Sequence, residues 1–304
     1  MNISVVINTK NAEKTLERTL KSVSFADQIV VMDMHSSDKT KHIANKFKAD
    51  FYLHPDVGYV EPARNKAISK AKHEWVLVVD ADEEIPETLQ EKLKDLLQGD
   101  ATADAYYLPR KNIVFNEWYQ HAGWWPDYQL RFFKKNSVTW SDQIHKTPKV
   151  QGTTDYLAPI EQHAIIHHNY QSIEQFISRL NNYTSHEVEA RSKSSNFNTG
   201  QIHSATIIDS FTNELMSRLF RHNGIDGGLH GVSLSWLQAM YEMIVTLKQW
   251  QADNFTTTKN DQEESITSIR KLQSDLSHWI ADWKIHHTSG FEKVVWILRR
   301  KLKV

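Results

Sequence analysis

Two aspartates, Asp80 and Asp82, stand directly after a short apolar run. Residues 76–79 (VLVV) are mostly β-branched, which is typical of a buried strand of a parallel sheet, and four acids occupy the next five positions. Such a strand delivers two carboxylates to the carboxyl edge of its sheet, where α/β sheets bind ligands. Hard oxygen ligands there suit Mg²⁺ or Mn²⁺, which proteins bind together with substrate phosphates. The alternative is that these acids only begin the helix at Pro86, favoured there by the helix dipole.

Strands and helices alternate around this stretch. The hydrophobic pattern predicts strands at about 3–7, 28–32 and 50–53, with helices between them and from about 62 to 72. This order predicts an α/β fold with a mostly parallel, doubly wound sheet and helices on both faces. The sequence contains neither GxGxxG nor GxxxxGK[ST]. Bound phosphates would therefore have to be held by an acid-bound metal rather than by a glycine-rich loop.

Composition narrows the function classes. The chain has 304 residues, 40% of them apolar, and a net charge of −1. The charge gives no basis for nucleic-acid binding, and the absence of cysteine excludes disulfides and thiolate chemistry. No run of about 18 uncharged apolar residues predicts a spanning helix, and the first residues do not resemble a signal peptide. These features predict a cytoplasmic protein.

The residue composition and hydrophobic pattern of the chain change twice after the acidic stretch. Residues from 105 to about 150 form short, aromatic-rich strands, and the loop at 123–127 carries Trp124 and Trp125. Sugar rings pack their C–H faces on such rings, although aromatic residues equally fill a β-sheet core. From residue 172 on, the pattern is helical, with helices predicted at about 171–191, 203–222, 231–251, 262–283 and 290–302. We therefore predict a catalytic domain over 1–170 and a helical region over 171–304.

Four motifs in this order resemble those of family 2 glycosyltransferases of the GT-A fold, and most closely the bacterial branch of WaaE-type lipopolysaccharide-core glucosyltransferases. They are NTKN at 8–11, VMDMHSSDKT at 31–40, ARNKA at 63–67 followed by DADE at 80–83, and GWWPDYQLRFF at 123–133. The resemblance covers about residues 1–185. The sequence departs from the branch in three places. The usual Glu is missing after Lys10-Asn11, Met34-His35 replaces Ser-Gly or Asp-Gly, and Lys146 replaces a Glu.

The resemblance implies an inverting transfer of a sugar from a nucleotide diphosphate sugar, UDP-hexose, to a cell-envelope glycan or lipid-linked acceptor. It implies that Asp82 binds the metal directly, while Asp80 contacts the ribose or a metal-bound water. Thr9, Asp33 and Arg64 match the nucleotide-binding positions. Asp33 would accept the N3–H of a uracil, or would serve only as a strand-end acid.

The remaining site residues follow from the same comparison. His145 is expected to be a third metal ligand or else a packed histidine, and Arg131 is expected to hold the diphosphate or to orient Asp127. We expect Asp127 to be the general base, with its pKa raised by desolvation, or else only a turn acid after Pro126, and Glu117 is the alternative base. The pair at 167–168 is interpreted as structural.

The last helix favours a membrane surface. Residues 291–304 carry five Lys or Arg and one Glu beside Val294, Trp296 and Leu298. This composition is typical of a helix that lies on anionic lipid, so we expect a peripheral protein on the inner face of the plasma membrane. The alternative is that this helix packs on the rest of the protein. The helical region could also contact the acceptor or a second copy of the chain. Two other classes remain: a degenerate transferase fold that binds glycans or acts as a scaffold, and a nucleotidyltransferase.

Overall fold

The computed structural model describes residues 2–56, 61–140, 148–192, 202–257 and 261–302. The chain forms two compact units. The first, here called the sheet unit, comprises Met1–Tyr119 and Trp125–Gln171, and the second, the helical unit, comprises Gln120–Trp124 and Ser172–Val304. The short segment 120–124 therefore belongs to the helical unit although its neighbours in sequence belong to the sheet unit.

The strands of the sheet unit follow one another with four helices between the first six of them. The strands are β1 Ile3–Thr9, β2 Gln28–Asp33, β3 Asp50–Leu53, β4 Trp75–Asp80, β5 Glu83–Glu84, β6 Ala105–Leu108, β7 Arg110–Val114, β8 Glu117–Trp118, β9 Gln129–Lys134, β10 Val138–Thr139, β11 Lys149–Val150, β12 Thr154–Tyr156 and β13 Ile165–His168. The helices are α1 Leu16–Ser22, α2 Thr40–Lys46, α3 Glu61–Ser69 and α4 Glu87–Asp95.

The central sheet has seven strands in the order β12-β6-β9-β4-β1-β2-β3. Strands β4, β1, β2 and β3 are parallel, and β9 is antiparallel to both of its neighbours. Successive residues of the parallel strands are buried on opposite faces, since Val5 packs in a core with α1 and α4 while Val6 packs in a second core with α3. The prediction of an α/β fold with a mostly parallel sheet and helices on both faces is confirmed.

A second sheet has the order β5-β13-β7-β8. In its register His167 of β13 lies opposite Glu83 of β5 on one side and beside Asn112 of β7 on the other. Because β5 follows β4 after only two residues, this second sheet places its polar side chains at the carboxyl end of the central strand.

The helical unit consists of α5 Ile173–Ser192, α6 Ser204–Met216, α7 Gly228–Ala252, α8 Asp261–His287 and α9 Gly290–Leu302. A π-helical turn extends α6 over 217–221, and a 3-10 turn covers 224–227. Leu215, Met216 and Ala239 form a buried core to which α8 contributes Leu272 and Trp279. The predicted helices are confirmed to within a few residues at each end. Among the described helices, none has both the length and the apolar composition needed to cross a bilayer.

Candidate active site

The end of β4 brings Asp82 close to His167. The two side chains approach through Asp82 Oδ1 and His167 Nε2, which are 3.7 Å apart. The main chains are also joined, because the N–H of His168 donates to the carbonyl oxygen of Asp82 at 3.0 Å. The pair at 167–168, interpreted from the sequence as structural, therefore delivers one imidazole to the acidic stretch.

Asn112 fixes which nitrogen of His167 faces Asp82. Its amide nitrogen donates to Asp127 Oδ2 at 2.9 Å, and its amide oxygen lies 2.7 Å from His167 Nδ1. An ionised carboxylate only accepts hydrogen bonds, so the amide orientation is determined and Nδ1 of His167 must carry the proton. In the neutral imidazole, the lone pair is then on Nε2 and is directed to the side where Asp82 lies.

Asp80 is engaged by two arginines. Arg64 Nη2 lies 2.9 Å from Asp80 Oδ1, and Arg131 contacts both carboxylate oxygens. Burial raises the pKa of Asp80, but the adjacent guanidinium groups outweigh it and hold this pKa well below its usual value. The Asp80 N–H donates to Glu83 Oε2 at 2.9 Å, which ties the strand end to the next acid.

Glu83 joins a further arginine, Arg110, to the same network. Its side chain is fully buried, and its Oε1 lies 2.9 Å from Arg131 Nη2 and 3.3 Å from Arg110 Nη1. Arg131 is 2% exposed, and its partners are Asp80 and Glu83 rather than Asp127. The expected orientation of Asp127 by Arg131 is therefore wrong, and a contact of Arg131 with diphosphate stays a prediction.

Arg110 takes the role that was expected of Arg131. Its Nε donates to Asp127 Oδ2 at 2.8 Å, and its Nη2 is ion-paired with the same oxygen at 2.6 Å. Gln129 Nε2 donates to Asp127 Oδ1 at 2.8 Å. Desolvation of Asp127 acts to raise its pKa, but Arg110 and the hydrogen bonds from Asn112 and Gln129 lower it overall. The expectation of a raised pKa for Asp127 is thus wrong, because a cation and two amide N–H donors meet this carboxylate where the sequence suggested only aromatic neighbours.

Thr9 and Asp33 end adjacent strands and are in register with each other. Thr9 Oγ1 donates to Asp33 Oδ1 at 2.8 Å, and the backbone N–H of Ser36 donates to Asp33 Oδ2 at 2.8 Å. Both carboxylate oxygens of Asp33 therefore already accept hydrogen bonds from neighbouring residues at the end of β2, as expected for a strand-end acid. Contacts of Thr9 and Asp33 with a nucleotide stay a prediction.

The remaining predicted residues are Trp124, Trp125, Glu117 and His145. Trp125 packs edge-on against Trp118 at 5.2 Å between ring centroids, while Trp124 belongs to the segment of the helical unit. Glu117, the alternative base, is exposed on β8. His145 lies outside the described residues.

Arg110 and Asn112 were not singled out from the sequence, Glu83 was named only as part of the motif at 80–83, and His167 was interpreted as structural. One signal was present, since the run Arg110-Lys111-Asn112 places polar side chains at alternate positions of a strand bounded by aromatic segments. Two polar residues on one face of a strand indicate a polar environment on that face, but they do not identify their partners.

Another group of metal-ligating residues lies in the helical unit. His203 Nδ1 is 3.0 Å from Glu264 Oε2 and 3.8 Å from Asp261 Oδ1. Asp261 also accepts the backbone N–H of Ser204 at 2.9 Å and so satisfies the first turn of α6. This contact gives the group a structural role.

Comparison with known proteins shows that most of the sheet unit matches one family. Residues 4–149 match the model of glycosyl transferase family 2. An uncharacterized glycosyltransferase of Rickettsia typhi is 29% identical over 209 residues, covering 64% of this chain and 71% of that protein. TarS of Staphylococcus aureus, a poly(ribitol-phosphate) beta-N-acetylglucosaminyltransferase, is 33% identical over 106 residues, covering 31% of this chain and 18% of TarS.

Among solved structures, S. aureus TarS 1–349 in complex with UDP has a TM-score of 0.41 and 15% sequence identity, covering 83% of this chain and 92% of that one. The match to the family model includes Asp82, Arg131 and Asp127 and ends before His167. Residues 4–149 of the chain are a family 2 glycosyltransferase domain.

Proposed function

We propose that the protein is a metal-dependent, inverting glycosyltransferase that moves a hexose from UDP-hexose to a cell-envelope glycan or lipid-linked acceptor, as WaaE-type enzymes do. One observation carries the metal dependence: within the sheet unit, Asp82 Oδ1 and His167 Nε2 face each other across 3.7 Å.

This pair fits a divalent ion. Neighbouring ligands of an octahedral ion lie about 3 Å apart, so a small movement of either side chain would place both on one ion. A carboxylate with an imidazole suits Mn²⁺ better than Mg²⁺, which strongly prefers oxygen ligands. Asp82 and His167 would hold the ion, and His145 stays a predicted further ligand. When bound, the ion would neutralise charge on the departing diphosphate.

Asp127 would serve the acceptor side of the reaction. The acceptor hydroxyl oxygen bonds to the anomeric carbon, the bond from that carbon to the diphosphate oxygen breaks, and a carboxylate takes the hydroxyl proton. The lowered pKa keeps Asp127 ionised at neutral pH and thus able to accept a proton, although it makes the carboxylate a weaker base. Arg110 and Asn112 hold Asp127 in place.

The remaining roles rest on motif positions. Thr9, Asp33 and Arg64 would line the nucleotide, Asp80 would contact ribose or a metal-bound water, and the tryptophans at 124 and 125 would pack against sugar. The domain over 1–170 would thus bind the donor, and the region over 171–304 would contact acceptor, a second copy or membrane.

The basic, partly apolar α9 supports action at the inner face of the plasma membrane. On this helix Phe291 is 83% exposed, and Val294 and Leu298 are also exposed. Lys293 and Lys301 lie on the same helix, so it offers both apolar and cationic contacts to anionic lipid.

Calorimetry with UDP tests the proposed donor site. We expect UDP to bind in the presence of Mn²⁺ and to bind much more weakly in EDTA or to Asp82→Ala. Asp95→Ala, which removes an exposed acid at the end of α4, is the matched control and should bind normally. Equal affinity in EDTA, or unchanged affinity in Asp82→Ala, would contradict the metal site. A panel of UDP-, GDP-, ADP- and dTDP-sugars, assayed by released nucleoside diphosphate, tests the base and the sugar.

A further inference from the structure

A polar cavity of about 560 Å³ lies wholly within the helical unit. Helices α6, α7 and α8 and the turn at 217–221 supply its walls. The lining residues are Ser210, Thr212, Asn213, Glu214, Met216, Ser217, Arg221, Glu242, Leu272, Asp275 and Trp279. Its volume falls within the range of about 300–1,000 Å³ that is common for small-molecule sites.

Several polar groups of this cavity have no partner among the described residues. Thr212 is only 8% exposed, yet its hydroxyl makes no hydrogen bond within the described part of the chain. The same holds for the carboxylates of Glu242 and Asp275 and for the guanidinium of Arg221, which form no ion pair with any described residue. Arg221 is exposed and Glu242 and Asp275 are half-buried, so these side chains keep their hydrogen-bonding capacity for a ligand that enters the cavity.

The surroundings of Glu242 indicate which kind of ligand group the cavity accepts. Burial and the nearby carboxylates of Glu187 and Glu214 raise its pKa. Glu214 itself is paired with Arg218 of the same helix at 2.7 Å. The guanidinium groups of Arg191 and Arg218 oppose this rise in pKa without outweighing it. A half-buried carboxyl group in such surroundings is satisfied by a neutral hydrogen-bond donor, such as a hydroxyl, more readily than by an anion.

Trp279 gives the cavity one flat apolar surface. Its ring is stacked on Phe220 with 6.0 Å between centroids and an interplanar angle of 12°, which fixes its orientation. An aromatic ring bordered by carboxylate, amide and hydroxyl groups matches a molecule with apolar C–H faces and a rim of hydroxyl groups.

We propose that this cavity in the helical unit binds a short neutral saccharide, with Trp279 against a sugar face and with Asp275, Glu242 and Thr212 receiving its hydroxyl groups. Carboxylates predominate among the charged lining groups, so a sugar that carries its own carboxylate is disfavoured. The site is formed by the helical unit alone and does not require the donor nucleotide or a metal ion. Its failure would therefore leave the proposed transferase function intact.

Ligand-observed NMR on the full-length chain, in EDTA and without nucleotide, tests the proposal. The probes are glucose, N-acetylglucosamine, cellobiose, lactose and maltose, with glucuronic acid as the anionic comparison and putrescine as the cationic one. We expect at least one neutral saccharide to bind and glucuronic acid to bind at least tenfold more weakly. The binding should persist in Asp82→Ala.

Variants locate the binding. Asp275→Ala and the isosteric Thr212→Val should each weaken it fivefold or more, whereas Gln273→Ala, an exposed change on the same helix, should leave it unchanged. Circular dichroism melts confirm that each variant is folded. Absence of binding by every neutral probe would overturn the proposal, and so would affinity unchanged in both cavity variants. Tighter binding of glucuronic acid or putrescine would overturn the assignment to neutral sugars.

Discussion

Charged groups are used in opposite ways at the strand end of the sheet unit and in the cavity of the helical unit. Around β4, the side chains of Arg64, Asp80, Arg131 and Glu83 are ion-paired with one another, and Arg110 extends the network to Asp127. In the cavity, by contrast, Asp275, Glu242 and Arg221 make no ion pair with any described residue.

The difference distinguishes positioning from binding. A buried charge that is removed from water must be compensated by a partner, and a fully paired network holds its members in one geometry. Such a network suits the placement of a base and a metal ligand. Groups that keep their hydrogen-bonding capacity suit the capture of an incoming molecule. Each of the following predictions tests one side of this contrast.

The largest effect is expected from opening the paired network at its most buried member. Arg131→Met should lower the free energy of unfolding by about 3–5 kcal/mol, because Asp80 and the fully buried Glu83 would lose their shared cation. Urea denaturation followed by circular dichroism measures this loss. Arg270→Met, at an exposed position of α8, is the control and should change stability little. A loss below about 1 kcal/mol, the value of an exposed pair, would show that the network is not tightly held.

The second effect concerns catalysis. Asp127→Asn should lower kcat by on the order of 10²-fold while leaving donor affinity nearly unchanged, as expected for a lost general base. Steady-state kinetics and UDP titration measure the two quantities. Glu117→Gln is the control, and a normal kcat in Asp127→Asn with a reduced kcat in Glu117→Gln would transfer the role to Glu117.

The pH dependence of the wild-type enzyme adds a check. A base acts in its ionised form, and the pKa of Asp127 is lowered from 3.8 by Arg110 and its hydrogen bonds. Protonation of Asp127 should therefore reduce activity only at a pH below this reference value of 3.8. Loss of the Arg110 cation should move this acid limb to higher pH in an Arg110→Gln variant, and an acid limb at the same pH in both proteins would contradict the role of Arg110.

The third effect is on the orientation of the metal ligand. Asn112→Ser should weaken Mn²⁺ binding by about 10–100-fold, since the hydrogen bond that fixes His167 would be lost. Mn²⁺ titration by electron paramagnetic resonance measures the affinity, and ¹⁵N NMR of the imidazole should show the Nδ1–H tautomer in the wild type. Asn45→Ser, an exposed change on α2, is the control. Unchanged Mn²⁺ affinity together with an unchanged tautomer would remove Asn112 from the site.

The smallest effect is expected from removing the lysines of α9 that are not ion-paired with a described residue. Arg300 is paired with Asp282 and Arg299 lies over Trp296, whereas Lys293 and Lys301 form no ion pair with any described residue. Each of these lysines should contribute about 1 kcal/mol, or roughly fivefold, to binding of anionic vesicles at low salt. Co-sedimentation with phosphatidylglycerol vesicles compares Lys293→Gln and Lys301→Gln with Lys271→Gln on α8. Equal binding to neutral phosphatidylcholine vesicles would contradict a role for charge.

The elements and their order were predictable because they depend on local patterns. The β-branched run before Asp80 and the alternation of strand and helix predicted the parallel sheet, and the 3.6-residue periodicity predicted the helical region. The position of Asp82 at a strand end followed from the same local pattern. The sequence by itself thus determined the fold class, the helical region and one half of the candidate metal site.

The partners of these residues were decided by the tertiary structure alone. His167 stands 85 positions after Asp82 and Asn112 stands 55 positions before His167, and only the register of β13 with β5 and β7 brings them together. The pKa of Asp127 depends likewise on Arg110, a cation that stands 17 positions earlier in the sequence and lies on strand β7. A pattern in sequence specifies which face of a strand is polar, whereas hydrogen bonds and pKa values depend on distances of a few ångströms between strands.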